Sequence, residues 1–549
     1  MSDPQNLWYK DAIIYGIDVG LFQDGNGDGI GDFRGLIERL GYIEDLGVNC
    51  VWLMPFFRTP GRDNGYDVSD YYAIDPDGGD FGGLIEFITL ANERGIRVIL
   101  DLVLNHTSDE HPWFEKARND PESEEHDFYI WSDEPAPPMP GKGPIFPGVE
   151  DSVWAKDEVS GKWYYHRFYS FQPDLNHTNE TLRGEIDRIM RVWLKCGASG
   201  FRVDAASHMV EPKGRADSPL EAGHDVLRQL RSFVDTTAAG AMLIGEADEN
   251  PDKIASFFGD DDELHALLNF LMTNYLFLAL ARQEVEPVRF ALELLPKIPR
   301  DCHWINFLRN LDELDLERLS SEQREEIFAA FAPKKDMQIF GRGIRRRLAP
   351  MLDGDLKRLK LAYSLLFALP GSPAIIYGDE LGMGDDLSLV GRDAVRTPMQ
   401  WSDAKGAGFT QAKPVREPIG KGPFGYRKVN AAVQDLDSDS LLNWIRKLTR
   451  TRRRCREIGS AAPQALDSGH RAVVAIAYEH GRRTLLTLHN LAGGKVRAEI
   501  DLSSAQSETG RIIFSSRADA VGDTVERTQA FELEPYGCRW AAFEGPVAA

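Results

Sequence analysis

The sequence predicts an α/β protein built on a (β/α)₈ barrel, with a domain inserted after the third strand and an antiparallel β domain at the C-terminus. Three observations predict this fold. Short β-branched runs alternate with amphipathic segments, the alternation fails for about 70 residues, and strand-turn-strand patterns close the chain. At 549 residues the chain exceeds what one hydrophobic core usually supports. We expect the barrel at 1–104 and 178–461, the insertion at 105–177 and the C-terminal domain at 462–549.

The alternation begins with AIIYGIDV (12–19), after which apolar residues recur at three- and four-residue steps from Phe33 to Leu46. Such a βα rhythm is typical of a parallel sheet buried on both faces. Further strand-like runs bring the number to eight, which favours a closed barrel. These runs are NCVWLMP (49–55), RVILDLVL (97–104), GFRVDA (200–205), AMLIGEA (241–247), one near Leu267–Met272, HWINFLRN (303–310) and PAIIYGDE (373–380).

Two segments depart from the barrel rhythm. Residues 105–177 are rich in Pro, Gly, Asp and aromatic residues, as in WSDEPAPPMPGKGPIFPG. A structureless loop of that length is implausible inside a compact domain, so we expect an inserted subdomain. After a helical stretch around Leu441–Ile458, the segment AVVAIAYEHGRRTLLTLHNL (472–491) predicts two strands joined by a tight turn, and hence a small β domain.

Composition limits the class of ligand. With 63 basic and 86 acidic residues the net charge is −23, which repels nucleic acids and anionic membranes and favours a small neutral or cationic ligand. The five cysteines are odd in number and form no CxxC pair, so neither disulfides nor zinc are expected. The start MSDPQNLWYKDA lacks the features of a signal peptide, and we expect a cytoplasmic protein without an organic cofactor. Whether the protein forms a homo-oligomer is left open.

Polar residues follow four of the predicted strands, where a barrel places its active site. The motif DLVLNH brings Asp101 there, GFRVDA brings Asp204, IGEA brings Glu246 and FLRNLDE brings Asp312. One acid after a strand is more often a helix cap. Three or more in a single barrel predict a catalytic site.

These motifs, in this order, resemble glycoside hydrolase family 13, the α-amylase family, over nearly the whole chain. The resemblance implies retaining chemistry on α-glucosides, with Asp204 as nucleophile and Glu246 as acid/base. It also implies that Asp312 stabilises the oxocarbenium-like charge and that His106 hydrogen-bonds sugar hydroxyls. Arg202 lies two residues before Asp204 on one strand, so both side chains face the same side and the guanidinium would keep Asp204 ionised.

Two further segments, GYDVSDY and GRDAVRTPMQW, resemble parts of the family's glucose-binding subsite. By that resemblance Asp67 of the first pairs with Arg396 of the second and closes the pocket beyond the non-reducing end of the sugar. Arg392 is the alternative arginine, and Tyr66 is the expected stacking platform. For both arginines, surface salt bridging remains the other interpretation.

One position departs from the family pattern. Where the family has Asn-His-Asp, this chain has Asn310-Leu311-Asp312. In the family the histidine bonds the glucose 2- and 3-hydroxyls, which leucine cannot do. Losing one such bond costs about 1–3 kcal/mol, so Leu311 implies weaker catalysis or a different sugar or acceptor.

The loop DGNGDGIGD offers oxygens at alternate positions. It is not an EF-hand, because position twelve is Gly35 and not a bidentate glutamate. It resembles the family's calcium- or magnesium-binding loop, the alternative being a plain Gly/Asp turn. A second calcium site at the junction with the insertion is implied by the family. The expected ligands of a structural Ca²⁺ or Mg²⁺ are Asp24, Asn26, Asp28, the carbonyl of Ile30 and Asp32 in the loop, and Asn105 and Asp174 at the junction.

Several segments indicate a branch within the family. Ala205 after the nucleophile resembles enzymes that act on α-1,4 bonds, QPDLN (172–176) is similar to a motif of the oligo-1,6-glucosidase and trehalose-synthase branch, and GIRRRLAPMLDGD (343–355) is similar to trehalose synthases. Leu311 and Asp248 speak against this assignment. We expect an enzyme that isomerises maltose and trehalose with some hydrolysis. A hydrolytic or transglucosylating α-glucosidase is the alternative, and a catalytically inactive binding subunit is a third.

Overall fold

Eight parallel strands close into a barrel within the described part of the chain. The computed structural model describes residues 7–136, 143–213 and 220–545, so residues 1–6, 137–142, 214–219 and 546–549 of the predicted domains lie outside it. Ile14 pairs with Cys50 on one side and with Ala374 on the other, which closes the ring. The strands are β1 Ile14–Ile17, β2 Cys50–Leu53, β3 Arg97–Leu102, β4 Gly200–Val203, β5 Met242–Gly245, β6 Ala266–Leu268, β7 His303–Phe307 and β8 Ser372–Ile376.

The strand residues alternate between two apolar layers. Side chains such as Ile14, Ile99 and Ile244 belong to a small buried cluster shared among the strands, as expected for the barrel interior. Their neighbours, such as Tyr15 and Val98, belong to the large cluster that includes the surrounding helices. Burial on both faces explains the continuous apolar runs in the sequence and confirms the predicted barrel.

The sixth and seventh strands are shorter than predicted. The run near Leu267–Met272 is a strand only as far as Leu268, because the Asn269 side chain accepts the Met272 N–H and begins a helix at Phe270. Likewise β7 ends at Phe307, so the polar residues after it lie in a loop.

Helices follow the strands and cover the barrel. None of the described helices is long and apolar enough to cross a membrane. The described α-helices from β1 to the last barrel segment are Val19–Phe22, Phe33–Glu38, Leu40–Leu46, Phe81–Glu93, Pro112–Asn119, Glu180–Lys195, Ala206–Val210, Leu220–Thr237, Pro251–Ile254, Phe270–Arg282, Glu286–Leu294, Ser321–Phe331, Leu348–Met351, Leu356–Ala368, Ala431–Leu436, Leu441–Arg452 and Glu457–Ser460.

The segment between β3 and β4 contains a small three-stranded antiparallel sheet, in the order Trp131–Ser132, Trp163–Tyr165, Trp154–Lys156. Aromatic side chains supply much of its packing, for example the stacked pair Phe114 and Trp131 with ring centroids 5.5 Å apart. An isolated bridge between His106 and Asp174 ties both ends of the segment together above the barrel. The segment therefore stands at the carboxyl end of β3, where it covers the pocket described below.

The C-terminal region is antiparallel. Its larger sheet has the order Pro463–Ala465, Val473–His480, Arg483–Asn490, Cys538–Glu544, Thr509–Ser515, Thr524–Glu526, and Val496–Asp501 pairs with Thr528–Leu533 in a second sheet. Polar groups fix it to the barrel. The Tyr478 hydroxyl donates to the Ala368 carbonyl at 2.6 Å, and the Trp540 indole donates to Ser364 Oγ at 3.1 Å.

Candidate active site

The strand ends open into a pocket of about 470 Å³. The polar residues that follow β4, β5 and β7 line it, because the carboxyl ends of parallel strands meet at one end of the barrel. The lining includes six of the residues predicted from the sequence, namely Tyr66, His106, Asp204, Glu246, Asp312 and Arg392.

One buried guanidinium lies at the centre of the catalytic cluster. Arg202 Nη1 lies 2.6 Å from Asp204 Oδ1 and 2.8 Å from Asp101 Oδ1, and its Nη2 lies 2.7 Å from Glu246 Oε2. Arg202 is therefore shared among three carboxylates. The predicted nucleophile and the predicted acid/base are bridged by a single side chain, which fixes their relative position.

The residue after Asp204 helps to place Glu246. Ala205 has φ 49°, in the left-handed region that alanine rarely adopts. Its N–H lies 3.3 Å from Glu246 Oε2. Backbone strain at this point thus brings a hydrogen-bond donor to the acid/base carboxyl.

Burial raises the pKa of the carboxyls in this cluster. It raises the pKa of Asp204 to about 7, of Glu246 to about 7 and of Asp101 to about 6, in each case against the attraction of Arg202. The expectation that Arg202 alone keeps Asp204 ionised is therefore wrong, because one guanidinium is shared among three buried carboxyls. Three ionised carboxylates around one guanidinium would leave a buried net charge of −2, so the cluster retains a proton near neutral pH. Glu246 is the carboxyl open to the pocket, with 22% of its side chain exposed against 8% for Asp204. It is thus the group placed to hand a proton to a bound sugar.

Asp312 has the opposite electrostatic environment. Its Oδ1 accepts from Arg392 Nη1 and from Arg396 Nη2, both at 2.7 Å. Burial opposes its ionisation, but these guanidinium groups more than offset that effect and lower the pKa of Asp312. Asp312 therefore presents a fixed negative charge to the pocket, which suits the stabilisation of a developing positive charge.

The predicted pairing of Asp67 with Arg396 is wrong. Asp67 is fully buried and turns back into its own loop, where it accepts the Thr59 hydroxyl at 2.8 Å and the backbone N–H groups of Arg62 and Asp63 at 3.0 and 3.1 Å. Arg396 instead pairs with the carboxylate that follows β7. The role of Asp67 is to shape the loop.

Asp63, which the sequence analysis did not select, takes the place expected for Asp67. Its Oδ1 lies 2.6 Å from Arg392 Nη2, and its Oδ2 accepts from Gln172 Nε2 at 3.0 Å. Arg392 thereby links Asp63 to Asp312 across one end of the pocket. Asn64 and Gly65 have φ values of 49° and 95°, and this reversal of the chain determines which aspartate faces inward.

Tyr66 and His106 lie beside the catalytic cluster. The Arg202 guanidinium lies 5.9 Å from the Tyr66 ring centroid, and His106 Nε2 donates to the Tyr66 carbonyl at 3.0 Å. Burial lowers the pKa of His106 to about 4, so its ring is neutral. Its Nδ1 faces Asn105 Nδ2 at 3.2 Å. Both ring nitrogens thus already have protein partners, and the contact of His106 with sugar hydroxyls stays a prediction.

The insertion closes over the pocket through aromatic residues that the sequence did not single out. The Phe146 ring lies 5.0 Å from the Arg392 guanidinium and 5.1 Å from the ring of Phe340, in the loop after β7. Arg342 Nη2 donates to the Ile145 carbonyl at 3.1 Å. Because Phe146 lies in an irregular Pro- and Gly-rich segment, no periodicity could have placed it at the site.

Comparison with known proteins gives the family of the chain. The α-amylase catalytic domain matches residues 19–460, most of the chain. The chain belongs to the α-amylase family. It is 42% identical to a trehalose synthase/amylase of Mycolicibacterium smegmatis over 84% of this chain and 80% of that protein. It is 38% identical to a trehalose synthase of Pimelobacter sp. over 98% of this chain and 96% of that protein. Among solved structures, an α-amylase from H. orenii superimposes with a TM-score of 0.78 at 26% identity, covering 97% of this chain and all of that one.

Leu311, the departure from the α-amylase family pattern, is directed into the core and not into the pocket. Its side chain is 3% exposed and packs in the large hydrophobic cluster. Its backbone carbonyl accepts from Arg396 Nε at 2.9 Å. Leu311, which the sequence predicts to be substrate-binding, therefore acts through its backbone, which orients the arginine that holds Asp312.

At the junction with the insertion, where the resemblance to the α-amylase family implied calcium, the structure places the ammonium group of Lys213. Its Nζ lies 2.7 Å from Asn105 Oδ1, 3.0 Å from the Asn105 carbonyl, 3.2 Å from the Leu175 carbonyl and 2.9 Å from Asp174 Oδ2. These oxygens are the type that a hard cation prefers. The prediction that Asn105 and Asp174 bind a metal is therefore corrected, since a buried lysine already occupies their centre.

The loop Asp24–Asp32 is held by its own hydrogen bonds. Asp24 accepts the N–H groups of Gly27 and Gly29, and Asp32 accepts those of Gly25, Asn26 and Gly35. Within the described residues, no group of three or more His, Cys, Asp or Glu side chains is placed to hold a metal ion. A cation held by this loop therefore stays a prediction from the family resemblance.

Proposed function

We propose that the protein is a retaining α-glucoside-active enzyme of trehalose-synthase type, which transfers the glucosyl unit of maltose-like α-1,4 glucosides and converts maltose into trehalose with some hydrolysis. The observation that supports this proposal most strongly is that Asp204 and Glu246 both contact the buried Arg202, while ionised Asp312 faces the same pocket. The similarity to proteins named trehalose synthase supports this choice of reaction.

In the first step the Asp204 carboxylate attacks the anomeric carbon while the bond to the leaving oxygen breaks. Glu246 gives its proton to that oxygen, so a neutral glucose leaves and a glycosyl ester remains on Asp204. Asp312 offsets the positive charge that develops on the sugar ring.

In the second step the ionised Glu246 removes a proton from an incoming hydroxyl, whose oxygen attacks the same carbon as the ester bond breaks. If the hydroxyl is the anomeric one of the released glucose, the product is trehalose, and if it is water, the product is glucose. Both displacements invert the anomeric carbon, so the configuration is retained. The link of Asp63 through Arg392 and the covering ring of Phe146 support retention of the released glucose in the pocket.

Incubation with maltose tests this function. We expect trehalose together with some glucose, identified by proton NMR. In the Asp204→Asn variant both products should disappear, because the nucleophile is lost. Glucose as the sole product would contradict the proposed transfer and would make the protein an α-glucosidase.

A structural Ca²⁺ or Mg²⁺ at the loop Asp24–Asp32 stays a prediction from the family resemblance. If a cation binds, a chelator should lower the melting temperature and added calcium should restore it, since a ligand that binds only the folded state stabilises it. A melting temperature indifferent to both would contradict the metal prediction.

The prediction of a cytoplasmic protein is supported by its free cysteines, all five of which are described.

A further inference from the structure

A second cavity, of about 380 Å³, lies between the barrel and the C-terminal sheet. We call it the basic cavity. One wall is the helix Leu441–Arg452, and the other is the end of the strand Thr509–Ser515 with the loop after it. Within the described chain it shares no lining residue with the active-site pocket. Its basic and aromatic lining residues are Lys360, Trp444, Lys447, Arg450, Arg454 and Phe514.

The charge of the basic cavity is unbalanced. Four basic side chains line it although the chain as a whole carries a net charge of −23. Within the described residues none of the four forms an ion pair, and Asp439 is the one acidic residue of the lining. Lys360 Nζ donates to the Asp439 carbonyl at 2.6 Å. Burial lowers the pKa of Lys360, an effect that the nearby Asp439 opposes and Lys447 adds to. A negative ligand would balance the cations of the lining that have no ion-pair partner.

An aromatic surface lies beside these charges. Trp444 is 7% exposed, and its ring centroid lies 4.6 Å from that of Phe514. Lys360 Nζ lies 5.3 Å from the Trp444 ring. The indole N–H of Trp444 has no hydrogen-bond acceptor within the described structure. Helical spacing places Lys447 one turn and Thr451 two turns beyond Trp444, so cation and ring face the cavity from one side.

We infer that the basic cavity binds a phosphorylated small molecule that carries a ring, either a sugar phosphate or a nucleotide. Phosphate oxygens match Lys447 and Arg450, neither of which forms an ion pair within the described residues, since charge-assisted bonds to phosphate are among the strongest that basic side chains make. The ring packs against the parts of Trp444 and Phe514 that line the cavity. The volume is that of a small-ligand site, and the strongly acidic chain repels extended polyanions. The α-glucosides of the proposed reaction are neutral, so this ligand is a different molecule.

Isothermal titration calorimetry at physiological ionic strength tests the inference, with glucose 6-phosphate, AMP and inorganic phosphate as probes. Either glucose 6-phosphate or AMP should bind more tightly than inorganic phosphate. Whichever of these two binds more tightly shows whether the ligand is a sugar phosphate or a nucleotide. The double variant Lys447→Gln/Arg450→Gln should raise its Kd about tenfold or more, because two charge-assisted contacts are lost. Trp444→Phe keeps a ring and should weaken binding less than the double variant.

Arg453→Gln is the matched control, since Arg453 is exposed at the end of the same helix but does not line the cavity. Its Kd should stay within about twofold of wild type. The inference is overturned if no probe binds, if the control weakens binding as much as the double variant, or if all three probes bind equally. Melting curves verify that each variant is folded. Turnover of maltose is expected to be unchanged in the double variant.

Discussion

At the scale of single residues, one buried guanidinium organises the chemistry. Arg202 contacts three carboxylates, and the shared proton of that cluster is available to Glu246, the carboxyl that opens to the pocket. Asp312 is held ionised by two other arginines. Carboxyl side chains in one pocket therefore differ in protonation state. Asp312 is bound by two arginines, whereas Asp101, Asp204 and Glu246 share one.

The pH profile follows from this arrangement. Because burial raises the pKa of Glu246 to about 7, the residue keeps its proton up to neutral pH and loses it above. The acid role needs that proton, and the nucleophile Asp204, whose pKa burial also raises to about 7, must be ionised, so kcat/KM on maltose should be highest near pH 7 and fall on either side. Initial rates measured across pH in the wild type provide the check. A kcat/KM that stays flat into the alkaline range would show that Glu246 is not the acid.

Two neighbouring aspartates should give separable effects. Asp63→Asn removes one of the two charge partners of Arg392, so KM for maltose should rise about tenfold or more. Asp67→Asn should lower the unfolding free energy by about 1–3 kcal/mol, since it disturbs three hydrogen bonds that the buried Asp67 carboxylate accepts within the loop, and should raise KM less. Steady-state kinetics and chemical denaturation of both variants test these two predictions. If Asp67→Asn raised KM more than Asp63→Asn, the pairing seen in the structure would be wrong.

At the scale of elements, the sequence predicted well what depends on periodicity and order. The barrel strands bury both faces and read as apolar runs, and polar residues after β4, β5 and β7 reach the pocket because strand direction dictates it. The sequence did not predict which side chains a loop turns toward the pocket. The choice between Asp63 and Asp67 is made by positive φ angles at the turn between them, and a local spacing cannot show that Lys213 occupies the site expected for calcium.

The junction of barrel and insertion gives a prediction at this scale. Lys213→Ala removes a buried ammonium from four oxygens and should cost about 3–5 kcal/mol of stability. The emptied oxygen cluster should then accept calcium, so added Ca²⁺ should raise the melting temperature of the variant more than that of the wild type.

Lys156→Ala is the control for this prediction, because Lys156 is an exposed lysine of the same insertion. Its melting temperature, with and without Ca²⁺, should follow that of the wild type. A Lys213→Ala variant as stable as the wild type would contradict the account of the junction, as would a response to Ca²⁺ equal to that of the control.

At the scale of the whole molecule, the barrel and the insertion both line the active-site pocket. The barrel supplies the carboxylates from its strand ends, Arg392 links Asp63 to Asp312 at one end, and Phe146 of the insertion covers the site against Phe340. Cover of this kind at one end of the pocket favours capture of the proposed glycosyl ester by the glucose just released, because a retained acceptor has a high effective concentration. An open pocket would favour water or glucose from solution.

The most direct test of this account is isomerisation of maltose in the presence of a large excess of isotopically labelled glucose. Because the released glucose stays beside the Asp204 ester, we predict that trehalose forms at an undiminished rate and carries little label, as measured by mass spectrometry of the disaccharide. Trehalose labelled in proportion to the external glucose would contradict intramolecular transfer, and the absence of trehalose would contradict the proposed reaction itself.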